Sequence, residues 1–199
     1  MTPAVMVLLL LLGLLLIFLP RKYAIIPLLS GAFLICLGSQ LYVVGVHWLA
    51  LRLLILVGLL RMVLSRPGDG EAKSRFSGGF DDLDKLFLVC ILTQAVCMVL
   101  LFRQTQVLIN QFGFLLDFLG GYFLVRFLIR DESDIYRALK CLATLSVLLA
   151  IGMTLEQVQL RNYFGWFAGF AQSPEIREGK IRSQGVFQHS IPAGTVGAT

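Results

Sequence analysis

Charged residues are scarce in this chain. Asp, Glu, Lys and Arg make up 15% of its 199 residues, against ~25% in a soluble domain. Hydrophobic residues make up 57%, and the mean hydropathy of +0.82 excludes a soluble enzyme. Histidine is limited to His47 and His189. The four cysteines, Cys36, Cys90, Cys97 and Cys141, form no CxxC and no Cys/His pairing. They fall inside apolar runs and read as small hydrophobes, so neither a disulfide nor a zinc site is expected. The chain has no nucleophile elbow, Walker loop or metal cluster, and no cofactor is expected. It lacks a basic stretch ahead of its first apolar run and a small-residue cleavage site after Leu19, where Pro20-Arg21-Lys22 follows. That run therefore reads as a retained helix rather than a cleaved signal. The 17 basic residues outnumber the 12 acidic ones, but they are scattered over short connections, which argues against a nucleic-acid partner.

Hydrophobic length is what the chain has in abundance. Six apolar runs, 3–19, 24–46, 48–64, 86–102, 107–129 and 138–155, each approach the ~20 residues needed to cross ~30 Å of hydrocarbon. They predict an all-α, polytopic transmembrane bundle of about six spans over residues 1–155, with membrane lipids as its surroundings. Basic residues fix its orientation. The odd connections carry Arg21, Lys22, Arg61, Arg66, Lys73, Arg75, Lys85, Arg126, Arg130, Arg137 and Lys140, whereas the short even ones carry Arg52 and Arg103. Odd connections, including the Gly- and Ser-rich linker 65–84, are thus expected in the cytoplasm, and residues 156–199 outside. Asp81-Asp82-Leu83-Asp84 and Asp131-Glu132-Ser133-Asp134 are placed to cap the fourth and sixth spans. Gly31, Gly38 and Gly45 recur every seven residues in the second span, a signal for close helix packing.

The last 44 residues change character. Tyr163, Trp166, Phe167 and Phe170 follow helical spacing, which predicts a short aromatic helix lying in the external membrane interface. A charge-dense loop follows, and the small apolar residues at its end read as the opening turn of a truncated seventh span.

Two groups of residues invite a chemical reading. Arg52 and Asp117 are ionisable groups inside predicted spans, each costing ~2.5–3.5 kcal/mol on insertion scales. Their backbone depths differ by roughly 10 Å at 1.5 Å per residue, a gap that two extended side chains nearly close. They read as an ion pair, either fixing the packing or lining a substrate path, with Asn110 on the same face as Asp117. The second group is Arg177, Lys180 and Arg182, with His189 beyond them. Arginine forks match phosphate oxygens, so the three cations are candidates for holding a diphosphate; the alternative is a solvated loop balanced by Glu175 and Glu178 or contacts to anionic headgroups. His189 is either a general base or an interfacial hydrogen-bonding residue, since nothing near it in sequence supplies an orienting carboxylate.

The string Arg177-Glu178-Gly179-Lys180-Ile181-Arg182-Ser183-Gln184-Gly185-Val186-Phe187-Gln188-His189, then Ile191-Pro192-Ala193-Gly194-Thr195, resembles the bacterial O-antigen ligase and Wzy-type polymerase family. The likeness is to an Arg-x-x-Gly-x-Phe-x-His-Pro signature, with Ser190 where proline is usual and Pro192 two residues later. Leu51 to Arg61, and Gly113 to Asp117 leading to Arg126 through Arg130, are similar to one branch of the same family. The resemblance implies a multi-span, metal-independent glycosyltransferase of the bacterial inner membrane that takes its glycan from undecaprenyl diphosphate on the periplasmic side. It implies that Arg182, and with it Arg177, hold the diphosphate. It also implies that the family's catalytic histidine lies beyond this segment, so that residues 1–199 alone would be inactive. The reading from another class is a transporter or flippase of lipid-linked glycans, with Arg52 and Asp117 lining its path.

Overall fold

A computed structural model describes residues 2–35, 40–43, 46–65, 76, 79–168, 175–177, 180–187 and 193. α1 (Pro3–Phe18) starts where the Thr2 hydroxyl accepts a hydrogen bond from Val5 N, with Pro3 preset for the first turn. It stops ahead of Pro20, whose ring disfavours helical backbone at Leu19. A single 3-10 turn, Arg21–Tyr23, leads into α2 (Ile25–Leu34). After a hairpin of β1 (Gln40–Val43) and β2 (Val46–Leu49) come α3 (Ala50–Leu64) and α4 (Asp82–Phe102). The next helix runs from Thr105 to Leu128 as α5 (Thr105–Leu115), a π turn (Leu116–Gly120) and α6 (Gly121–Leu128). α7 (Glu132–Gln159) and the short α8 (Tyr163–Ala168) follow, and β3 (Glu175–Arg177) pairs with β4 (Lys180–Arg182).

Three of these helices are long and apolar enough to cross a membrane: Asp82–Phe102, Thr105–Leu128 and Glu132–Gln159. At 1.5 Å per residue they reach roughly 31, 36 and 42 Å. Their outer surfaces are greasy; Leu86, Val89, Val96, Leu100 and Leu101 of α4 are all exposed. A protein in water leaves few such stripes uncovered, and this one fits a membrane protein.

The expected second span, 24–46, is not one helix. α2 ends at Leu34, ten residues after its start, and the sequence then turns back as a hairpin whose register pairs Gln40 with Leu49 and Val43 with Val46. The physical reason lies in Leu41-Tyr42-Val43-Val44-Gly45-Val46-His47-Trp48, where β-branched and aromatic residues flank a glycine and favour paired strands over helix. Of the heptad glycines, Gly38 and Gly45 lie outside the described residues, as does Cys36. Among the described residues the fold is therefore mostly helical with two short hairpins rather than all-α. Gly31 itself does bring backbones together, since a Cβ there would run into the Leu54 side chain of α3. Cys90 and Cys97 are exposed on α4 as free thiols, and Cys141 is half-buried.

The core joins α1, α2, α3 and α6 through Val5, Leu12, Leu16, Ile25, Leu28, Leu54, Leu124 and Leu128. Caps and charges then tie the helix ends together. Asp81 and Asp84 form a reciprocal capping box at the start of α4, with Asp81 N donating to Asp84 Oδ2 at 2.9 Å. Asp84, fully buried, also accepts from Tyr122 Oη at 2.6 Å and pairs with Arg126 of α6. Asp134 at the start of α7 does more than cap its own helix. It receives Arg137 at 2.6 Å, Arg21 at 3.5 Å and the Arg130 main-chain N at 3.2 Å. Arg61, near the end of α3, donates to the Leu16 carbonyl of α1. These links gather the ends of α1, α3 and α6 with the starts of α2, α4 and α7 at one end of the bundle.

Glycines 13 and 58 make a matched test of the packing. A Cβ on Gly58 would meet the methyls of fully buried Leu124, whereas a Cβ on Gly13 meets nothing within 4 Å. Gly58→Ala is expected to lower stability by about 1–3 kcal/mol through overpacking. Gly13→Ala should be neutral or stabilising by up to about 1 kcal/mol through helix propensity. Thermal unfolding of both variants in detergent checks the contrast.

Candidate functional site

Two polar arrangements lie away from the charged end, and both are built from residues that apolar helices would ordinarily reject. The first joins α3 to the π turn. Arg52 Nε donates to Asp117 Oδ1 at 2.8 Å and Nη2 to Asp117 Oδ2 at 2.6 Å, a two-pronged fork. The side chains retain 17% and 29% of their exposure. Two local features permit the contact. Gly113 leaves room for the guanidinium, since a Cβ there would lie 2.5–2.8 Å from its atoms. The π turn carries Asp117 and inserts a residue into the helix, which swings the face that follows by about 100°. Asn110 stays out of this pair. It is exposed and its Oδ1 accepts from Gln106 Nε2 at 3.3 Å.

The second arrangement fixes the segment that carries Arg182. Glu156, on the last turns of α7, is fully buried, and its carboxylate accepts from Gln184 N at 3.1 Å and from Gly185 N at 2.8 Å. Asn162, equally buried, donates to the Gly185 carbonyl at 3.0 Å and accepts from Gly165 N at 3.0 Å, tying the same turn to α8. Ser183 Oγ donates to the Met153 carbonyl at 3.2 Å. Phe187 N closes the turn on the Gln184 carbonyl at 3.1 Å. Gly185 sits at φ +60°, left-handed backbone that favours glycine, and a Cβ there would approach Met153 to 3.0 Å. Val186 and Phe187 then bury themselves with Leu149 and Ala193, against Phe33 and Phe164.

Arg182 leaves this anchored turn as an exposed residue. In the β3–β4 register Glu175 faces Arg182, Arg177 faces Lys180 and Ile176 faces Ile181. The three basic positions therefore share one set of cross-strand places with Glu175, and the isoleucines take the alternate set. Chemically, an exposed guanidinium on a backbone held by a buried carboxylate is suited to grip an anion without first ordering a loop. Ser190, Pro192, Gly194 and the base candidate His189 lie outside the described residues, as do residues 194–199, where a seventh span was expected, and Phe170 of the aromatic stripe. The pair Arg52 and Asp117 and the hairpin cations form two separate groups.

Glu156 and Asn162 are the residues that sequence reasoning passed over. Glu156 reads as the first polar residue after an apolar run, and nothing beside it in sequence marks it as buried. The available signal was a lone carboxylate in Thr154-Leu155-Glu156-Gln157-Val158 with no basic residue within a helical turn before it, an acid that needs donors from elsewhere. No family model matches the chain, and no curated protein or solved structure matches it either.

Removing the Glu156 carboxylate strands two main-chain N–H groups, each costing about 1–3 kcal/mol when left buried and unpaired. Glu156→Ala is expected to raise amide exchange over residues 183–187 at least tenfold, and Glu156→Gln, which keeps one acceptor, should do so less. Hydrogen exchange read by mass spectrometry checks both. For the other pair, breaking a buried ion pair costs ~3–5 kcal/mol, and the partial exposure here reduces that to about 1–3 kcal/mol. Asp117→Asn should lower thermal stability by that amount, and adding Arg52→Gln should recover part of it. Strictly additive losses in the cycle would remove the pair as a stabilising unit.

Proposed function

We propose that the chain is the N-terminal part of an integral-membrane glycosyltransferase of the O-antigen ligase or polysaccharide polymerase type. In this reading it takes glycan from undecaprenyl diphosphate at the periplasmic face of a bacterial inner membrane. The observation that carries it is Arg182, exposed and set on a turn whose backbone the buried Glu156 holds in place. The basic positions 177 and 180 stand beside it in the hairpin register. A diphosphate needs donors that are always charged and already positioned, and arginine supplies both.

The proposal includes a topology. The end where Arg21, Arg61, Arg126 and Arg137 meet is cytoplasmic by the bias of basic residues to that side. The Ser183–Phe187 turn, docked at the far end of α7, is then periplasmic. α1, the α2 helix with its hairpin, and α3 complete six crossings with the three long helices, and α8 lies at the outer interface, where Tyr163 is exposed. A transporter or flippase is the competing reading. It is the weaker one because the Arg52 fork is closed on Asp117 with both prongs engaged.

Arg182→Ala in the full-length protein is expected to lower glycan transfer about 10- to 150-fold, the equivalent of a charge-assisted hydrogen bond of ~1.5–3 kcal/mol. Arg182→Lys, which keeps charge but not the fork, should fall between. A glycan-ladder assay at matched protein level reads this, and wild-type output from Arg182→Ala would end the assignment.

A further inference from the structure

Within the charged end of the bundle, one guanidinium is left without a carboxylate among the described residues. Arg21 and Arg137 share the single carboxylate of Asp134. Arg61, beside them on α3, has no carboxylate partner among the described residues. It donates to the Leu16 carbonyl, and the neighbouring Arg21 guanidinium acts on it by repulsion. The positive charge of Arg61 is therefore uncompensated at the place where α1 and α3 meet.

A groove of about 300 Å³ opens at the same place, lined by Ile17, Leu60, Arg61, Leu64 and Ser65. Its walls are apolar and face outward, with Ile17 45%, Leu60 55% and Leu64 70% exposed. The Arg21 bonds to the Leu128 carbonyl at 3.2 Å and to Asp134 put it level with the end of α6 and the start of α7. That is the rim of the long apolar helices, where hydrocarbon gives way to headgroups. A guanidinium with unspent donors above greasy walls at this depth matches a molecule with an anionic head and a hydrocarbon tail.

We propose that this groove binds an anionic phospholipid, its headgroup phosphate on Arg61 and one acyl chain along Ile17, Leu60 and Leu64. The phosphate supplies the missing counter-charge, and the acyl chain covers the exposed walls. The site stands on α1 and α3 alone and is independent of the glycan reading.

The test uses the full chain purified in a neutral detergent, with phosphatidylglycerol, phosphatidylcholine of the same acyl chains, or glycerol 1-phosphate added. Phosphatidylglycerol is expected to raise the thermal midpoint more than phosphatidylcholine, and glycerol 1-phosphate should leave it in place. Arg61→Gln keeps a donor for the Leu16 carbonyl but not the charge. It should weaken phosphatidylglycerol binding about fivefold and erase the difference between the lipids. Arg61→Lys should retain most of that difference. Leu64→Trp, on an exposed position that tolerates bulk, should block the tail groove and weaken binding with the charge intact, which keeps the test valid if Arg61→Gln does not fold. Equal response to both lipids, unchanged binding in Arg61→Gln and Leu64→Trp, or a full effect from glycerol 1-phosphate alone would overturn the proposal. So would a dimer covering this face that phosphatidylglycerol fails to displace.

Discussion

Two buried carboxylates, Asp84 and Asp134, hold the ends of the helices in register, and most of the architecture depends on them. Each begins a long apolar helix, and each is reached by an arginine from another element: Arg126 of α6 for Asp84, and Arg21 of the 3-10 turn for Asp134, which also pairs with Arg137 of its own helix. Apolar faces packed in lipid have little to specify how far one helix slides past another, because Leu against Leu costs the same as Leu against a lipid tail. A buried charge does specify it, since a shift of one turn leaves a carboxylate unpaired in a low-dielectric setting. Aromatic rings close in around the same places. Phe87 and Tyr122 lie 4.4 Å apart, and the Arg137 guanidinium lies 5.0 Å over the Tyr23 ring.

Much of this end was legible in the sequence, because its signals are local. Acidic residues immediately before apolar runs announced the starts of α4 and α7, and the basic residues of the odd connections announced which helix ends lie together. What stayed hidden was the pairing itself. Asp134 reads as a helix cap from its position, yet its partners come from Arg21, more than a hundred residues away, and from Arg137, one turn on. Hydropathy also misread residues 24–46. A window average treats Val, Tyr and Trp as equivalent to Leu, although β-branched and aromatic side chains prefer strand backbone, and a glycine between Val44 and Val46 makes a reversal easy.

The opposite end was the harder one to read, because its organisation is carried by backbone groups that no sequence pattern displays. The contact between Arg52 and Asp117 depends on a missing side chain at Gly113 and on a π turn. A helical wheel places Asp117 and Asn110 on one face, but they stand two turns apart, about 10 Å along the axis, and only Asp117 reaches Arg52. Glu156 was read as the boundary between a span and a tail. It instead extends α7 as a structural element beyond the apolar run and couples it to residues nearly thirty positions later.

That coupling anchors a segment that begins with Ser, Gln and Gly. The Ser183–Phe187 turn has few apolar side chains of its own, and ordering each of its residues costs about 1–2 kcal/mol of backbone entropy. Glu156 and Asn162 offset this cost by satisfying three main-chain groups of Gln184 and Gly185, while Val186 and Phe187 bury themselves on Leu149. The hydrogen bonds point those groups inward, toward α7 and α8, while Arg182, at the end of β4 just before the turn, is exposed. A guanidinium carried on a backbone ordered in advance can spend its binding energy on an anion instead of on organising the chain.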